Sequence, residues 1–178
     1  MEKSHPPMQM FDFLDETHQE IQTNLNRLKE IIDHVCQFGT ISTHVDDLNL
    51  ICNFFSKTVR NHHLDEELHV FPSLIASSDE QLRSITRQLY QDHFWLESSW
   101  MELCPMLKGL IDQNNWYSIE ELDHSFNLFK NLNLEHLKLE ESIAYPGAIR
   151  SIWSWDEVGI GREMSSRRKF RKSSLSIN

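Results

Sequence analysis

Glycine and proline are scarce in this chain, five of each among 178 residues. Both residues punctuate turns, so their scarcity argues against many short strands and for long helices. Cysteine is scarcer still. Cys36, Cys52 and Cys104 are odd in number, and no two stand at CxxC spacing. That disfavours a disulfide framework and a zinc knuckle and points to a reducing cytoplasm. No apolar run reaches the roughly 18 residues that a membrane span needs. The opening MEKSHPPMQMFDF lacks the continuous apolar stretch of a signal peptide. Glycine-rich phosphate loops and recognisable serine or cysteine nucleophile motifs are missing too.

What is present is acidic. The net charge of −10 conceals a split, because residues 161–178 carry six basic groups and one acid, Glu163. The 17 basic and 27 acidic residues of the whole chain thus leave 11 and 26 in 1–160, a net of −15. Such a body is a poor nucleic-acid binder. The tail GREMSSRRKFRKSSLSIN reads as a mobile, solvated basic extension that offers a contact for an acidic partner.

Helical periodicity organises the rest into one all-α domain. A first helix spans about Met8 to Cys36 and stops at Gly39; a second starts near Ser42 and Thr43 and ends at Phe71-Pro72. The third opens on SDEQ, with Ser78 as N-cap and Gln81 completing a capping box, and runs to about Leu110 with Pro105 kinking its last turns. The fourth opens on a second box, Ser118 to Glu121, and ends at Tyr145-Pro146. Short links make neighbours antiparallel. The expected architecture is an up-down-up-down four-helix bundle over residues 8–147, with extensions at 1–7 and 148–178.

NHHLDEELHVFP (61–72) aligns with EHLKLEESIAYP (135–146) at an offset of 74, and His18 aligns with His93 at 75. One helical hairpin therefore occurs twice. At 100° per residue, and with His62 at zero, Leu48, Ile51, Phe55 and Val59 define the apolar stripe, and Glu66 at about 40° lies on it. His69 falls on the stripe as well, and His63 and Glu67 fall near or beyond its edge. Helix four repeats the pattern, with Glu140 on the stripe of His136. On helix three, Glu97 takes the i+4 place behind His93. Helix one offers His18 alone.

Buried carboxylates without partners are costly. Four histidines and three glutamates converging in one core need a reason; a metal centre supplies one, and spacing at i, i+4 brings two side chains to one metal or an adjacent pair. Imidazole with carboxylate suits iron, manganese or zinc. The expected ligands are His18, His62, Glu66, His93, Glu97, His136 and Glu140. His63, Glu67, His69 and Glu141 are expected, if anything, to stand behind them.

On these residues the chain resembles the hemerythrin-like, HHE cation-binding family over roughly residues 8–147. The matching motifs are a histidine on helix one (His18), HHxxEE…FP on helix two (His62, His63, Glu66, Glu67, Phe71, Pro72), a histidine on helix three (His93) and HxxxEE…YP on helix four (His136, Glu140, Glu141, Tyr145, Pro146). The resemblance implies a non-haem di-iron centre inside a four-helix bundle, bridged by the helix-two and helix-four carboxylates. It also implies a small diatomic ligand such as O2 or NO, with roles in oxygen or iron sensing, stress response or iron-centre repair. Oxygen-carrying members have a second histidine on helix three where this chain has Glu97. That carboxylate would harden the site and disfavour reversible oxygen carriage.

Two other classes compete. A ferritin-like oxidase needs Glu-x-x-His on two helices; Glu66 to His69 fits once, the equivalent of His69 on helix four is Ile143, and Glu121 to His124 falls off the inward face. A metal-free helical interaction module would use the basic tail as its contact and would tolerate leucine at His62 and His136.

Overall fold

The computed structural model describes residues 9–39, 41, 43–114, 116–151, 159–160 and 163–164. Among them there is no strand, and the chain is all-helical. Helix α1 spans Gln9–Phe38 and ends where Gly39 takes a φ of 70°, its amide bonded to the Val35 carbonyl at 2.8 Å. Next come α2 (Val45–Asn53), a π segment (Phe54–Val59) and α3 (Arg60–His69), which follow one another directly, and then the short α4 (Phe71–Ile75). Helix α5 (Glu80–Ile111) runs unbroken through Pro105. Helix α6 (Ile119–Leu139) passes through a second π segment (Glu140–Ala144) into α7 (Tyr145–Ser151).

Three expectations about helix ends are corrected. The cap of α5 is Asp79 rather than Ser78: its carboxylate accepts from the Gln81 and Leu82 amides at 2.9 and 3.4 Å. Pro72 and Pro146 do not end their helices. Each sits at the second position of a new helical segment, α4 and α7, where a missing amide costs nothing. The capping box of Ser118 and Glu121 on α6 is present as read from the sequence. The C-terminal extension lies mostly outside the described residues; of those described, Met164 is fully buried and Ile160 packs beside it.

Two apolar clusters form the core. One gathers the late part of α1 (Ile31, Val35), the early part of α2 (Leu48, Ile51), the late part of α5 (Leu103, Leu107) and the early part of α6 (Leu122, Phe126). The other gathers the start of α1 (Phe11, Leu14), α4 (Phe71, Leu74), the start of α5 (Leu82, Leu89) and α7 (Tyr145, Ala148). Successive long helices therefore alternate in direction, which is compatible with the four-helix bundle expected from the sequence. No described helix is long and apolar enough to cross a membrane.

Candidate metal centre

Between the two apolar clusters lies a polar layer. His18, His62, His63, Glu66, His93, His136 and Glu140 are each at most 4% exposed. A layer of five imidazoles and two carboxylates inside a hydrocarbon core is unstable unless each group is neutralised or bonded. The helices deliver these groups at one level. His18 Nε2 of α1 lies 3.1 Å from His62 Nε2 of α3, the depth match that the helix lengths predict. Glu140 reaches both His18 Nε2 (Oε2, 3.3 Å) and His136 Nε2 (Oε1, 3.1 Å). Glu66 Oε2 stands 3.6 Å from His62 Nε2 and 3.4 Å from His93 Nε2.

Donor atoms within 4.8 Å of one another fall into overlapping sets. The first is His18, His62, Glu66 and Glu140; the second is Glu66, His93, His136 and Glu140; and His63 joins His93 and His136 in a third. Glu66 and Glu140 are common to the first two. Two ligand sets sharing two carboxylates match a dinuclear centre.

The hydrogen bonds tell the same story. His62 Nδ1, His63 Nδ1, Glu66 Oε2, His93 Nε2, both ring nitrogens of His136 and both oxygens of Glu140 are buried without a hydrogen-bond partner. His136 Nε2 and Glu140 Oε1 are close enough for a bond but not aligned for one. Like Nε2 atoms facing each other at 3.1 Å cannot both be donors or both acceptors. They suit a shared cation: two nitrogens each about 2.1 Å from a metal and at a right angle lie about 3.0 Å apart. The residues therefore fit a pair of cations.

Behind the inward atoms stands an outer ring of acids. Glu67 Oε1 is 2.7 Å from His93 Nδ1, Glu141 Oε1 is 3.1 Å from His18 Nδ1, and Asp92 Oδ2 is 3.7 Å from His136 Nδ1. Each acid faces the ring nitrogen turned away from the cluster; Glu67 and Glu141 are hydrogen-bonded to it, which fixes the tautomer and leaves Nε2 free to bind, whereas Asp92 stands near His136 Nδ1 without a hydrogen bond. Glu67 and Glu141, expected at most to stand behind the ligands, stand there. Asp92 was not foreseen. It precedes His93 on α5 but serves His136 on α6, and no spacing within one helix signals a partner on another. Tyr145 was also missed as a polar residue. Its hydroxyl donates to Glu66 Oε1 and lies 3.0 Å from His18 Nε2. The clue available was the contrast between FP in one repeat and YP in the other.

Three residues lie elsewhere than expected. Glu97 does not join the cluster. Its side chain is 48% exposed, and its nearest charged partner is Arg60, at 3.7 Å. The buried line of α5 runs Leu89, His93, Leu96, Trp100, stepping from His93 by three residues rather than four. His63 enters instead, its ring stacked on that of His93 with centroids 4.0 Å apart. The reason is the π segment at Phe54–Val59. The residue inserted there rotates the helix that follows, so the inward face beyond it takes in His63 beside His62 and Glu66. His69 turns away, to within 3.6 Å of Glu163, so the Glu-x-x-His pattern of a ferritin-like oxidase does not converge.

Electrostatics separate the histidines. Burial pulls His18, His93 and His136 down, but Glu140 and the other carboxylates outweigh it and raise all three, His136 to about 9. His62 and His63 are driven well below the ordinary histidine value, by burial first and then by neighbouring imidazoles. Burial and the charge of Glu140 push Glu66 up to about 7, while the surrounding histidines overcome burial and hold Glu140 well below the carboxylate range.

A cavity of about 370 Å³ opens between the π segment, α3, α5 and α6, and His63 is the one cluster residue that lines it. Its walls include Phe55, Val59, Leu96, Trp100 and Phe129, with Arg60 and Glu97 among the polar lining residues.

Comparison with known proteins agrees with the site. An uncharacterised protein of Haemophilus influenzae is 27% identical over 157 residues, covering 87% of each chain. No solved structure matches. Residues 9–148 match the hemerythrin HHE cation-binding domain. The chain therefore belongs to the hemerythrin HHE cation-binding family.

Proposed function

We propose that this chain is a di-iron protein of four-helix-bundle form, with the bundle over residues 8–147, which binds a small diatomic ligand, O2 or NO, in a buried site. The observation that carries this reading is the sharing of Glu66 and Glu140 between two buried ligand sets. His18 and His62 would hold one iron, and His63, His93 and His136 the other, with Glu66 and Glu140 between them. Iron in this setting supplies reversible electron transfer and an open coordination position. With fewer histidines on the His18 and His62 side, an exogenous ligand would bind there, where the Tyr145 hydroxyl lies 3.0 Å from His18 Nε2 and donates to Glu66. With Glu97 outside the ligand set, the case against reversible oxygen carriage loses its basis. Sensing, stress response and iron-centre repair are the roles this chemistry serves, in a reducing cytoplasm that suits the three free thiols. Zinc or manganese would satisfy the same donors less specifically.

The deciding experiment loads the purified chain with Fe(II) without oxygen, removes loose metal and measures iron per chain and the visible spectrum before and after air. About two irons per chain with a new near-ultraviolet band is the expected result. Reversal on removing oxygen identifies a carrier, and a permanent change identifies redox or sensing chemistry. No retained iron rejects the assignment.

A further inference from the structure

The cavity beside the polar layer has a floor and a rim of different character. On the floor, Phe55 and Val59 of the π segment, Leu96 and Trp100 of α5 and Phe129 of α6 are buried. Three of these side chains are aromatic and touch one another: the ring centroids of Phe55, Trp100 and Phe129 lie 5.0, 5.1 and 5.2 Å apart pairwise. Trp100 is pinned, its indole N–H donating to the Ser56 hydroxyl at 3.0 Å. Aromatic rings in fixed positions favour a flat apolar molecule through stacking and edge contacts. Size narrows the choice. A cavity of about 150 Å³ holds one benzene ring, so about 370 Å³ has room for two fused rings. Charge narrows it further. At the rim, Arg60 of α3 faces Glu97 of α5 at 3.7 Å, and both are exposed. The pair balances its own charge, so the mouth gives an ion of either sign no net attraction, and carrying an ion on to the apolar floor is costly. Hydrogen bonding supplies an anchor. Asn133 of α6 lines the cavity and is only 3% exposed. One N–H of its amide donates to the Phe129 carbonyl at 2.8 Å. The amide oxygen and the second N–H remain, and a ligand hydroxyl can donate to the one or accept from the other.

We propose that this cavity is a second binding site, which takes a neutral two-ring aromatic molecule bearing a hydroxyl, of the naphthol class. The fused rings lie against Phe55, Trp100 and Phe129, and the hydroxyl is bonded to the Asn133 amide. The Arg60–Glu97 pair stands at the mouth and opens for entry, a small cost for two exposed side chains. A molecule seated there also meets His63, whose ring stacks on that of His93 with centroids 4.0 Å apart. Occupancy therefore bears on the set of His63, His93 and His136, and gives the polar layer a neighbour that responds to an organic molecule. The binding itself involves no metal.

The test titrates the full chain, kept with diamagnetic Zn(II), with 2-naphthol at pH 7, by calorimetry and by nuclear magnetic resonance of the assigned Trp100 indole N–H. The expected result is one site per chain with a Kd on the order of 0.1 mM and a saturable shift of the Trp100 signal. The anion 2-naphthoate should bind at least about tenfold more weakly, because its charge finds no partner on the floor. Val59→Phe fills the cavity and should abolish the binding, and Asn133→Leu should weaken it about tenfold. Absence of binding up to the solubility limit overturns the proposal, as does uptake that leaves the Trp100 signal in place or persists in Val59→Phe, which is adsorption to the surface. Naphthoate binding as tightly as naphthol overturns it too, by assigning the site to an anion held by Arg60. The wild-type titrations with the two ligands decide the matter even if a variant does not fold. Because no readout uses iron, a negative result leaves the iron assignment standing, and a failed iron loading leaves the cavity site standing.

Discussion

The two hairpins of this chain repeat one pattern of site residues, and the places where they depart from it shape the site. His18 and His93, His62 and His136, Glu66 and Glu140, and Glu67 and Glu141 are equivalent pairs, and all eight lie in or against the polar layer. His63 has Leu137 as its counterpart, and Phe71 has Tyr145. The first difference gives one ligand set a third histidine. The second gives the other set a hydroxyl. The π segments differ as well: one ends at Val59, ahead of His62, and the other begins at Glu140 itself. A repeat builds a symmetric cage, and single departures from it make the two ligand sets unequal.

The largest effect is expected where the halves meet. Glu66→Ala or Glu140→Ala removes a shared carboxylate, so each should lower the metal content from two ions per chain to nearly none, read by elemental analysis after Fe(II) loading. Making the halves more alike should cost less. His63→Leu installs the residue of the second hairpin and is expected to lose one ion of the two, whereas Glu97→Ala should lose neither. A loss in Glu97→Ala with none in His63→Leu would return Glu97 to the ligand set and remove His63 from it.

The outer acids come next. Glu67→Gln and Glu141→Gln, in opposite halves, should each weaken metal affinity about 10- to 100-fold by competition titration. Similar losses would show that the two outer contacts are equivalent in strength as well as in position.

The smallest effect concerns protons. His136 is raised to about 9 in the fold, so its stabilising contribution is complete below its ordinary value of 6.5 and is lost as pH rises through about 9. Glu66, raised to about 7, likewise favours the fold at low pH and gives up its contribution as pH passes 7. The metal-free protein should therefore melt at a lower temperature at pH 9.5 than at pH 7, followed by circular dichroism. A cation must displace the same protons, so affinity for Zn(II), which avoids oxidation, should rise over that interval. A metal-free Tm that is flat or rises with pH would contradict the proton assignment.

Much of the site was legible because it obeys one period. His18, His62, Glu66, His93, His136 and Glu140 sit on apolar stripes, and depth along each helix could be counted at a fixed rise per residue. The stop at Gly39 and the Ser118 cap were equally local. What stayed hidden depends on other helices or on a change of period. His63 needed knowledge of an inserted residue upstream, and Glu97 needed the exact rotation of α5. Asp92 and Tyr145 act on residues of other helices, so no within-helix spacing announces them. Pro72 and Pro146 misled because a proline that stops a helix and one that begins the next segment look alike in sequence.

The outer acids carry a further meaning. Glu67 of the first hairpin grips His93 of the second, and Glu141 of the second grips His18 of the first. The exchange is reciprocal, as in a twofold-symmetric dimer whose protomers have been joined end to end. The join runs only from Ala76 to Asp79 between α4 and α5. Two chains that opened there and traded second hairpins would rebuild every contact of the centre, so such a swapped pair would bind metal as the single chain does.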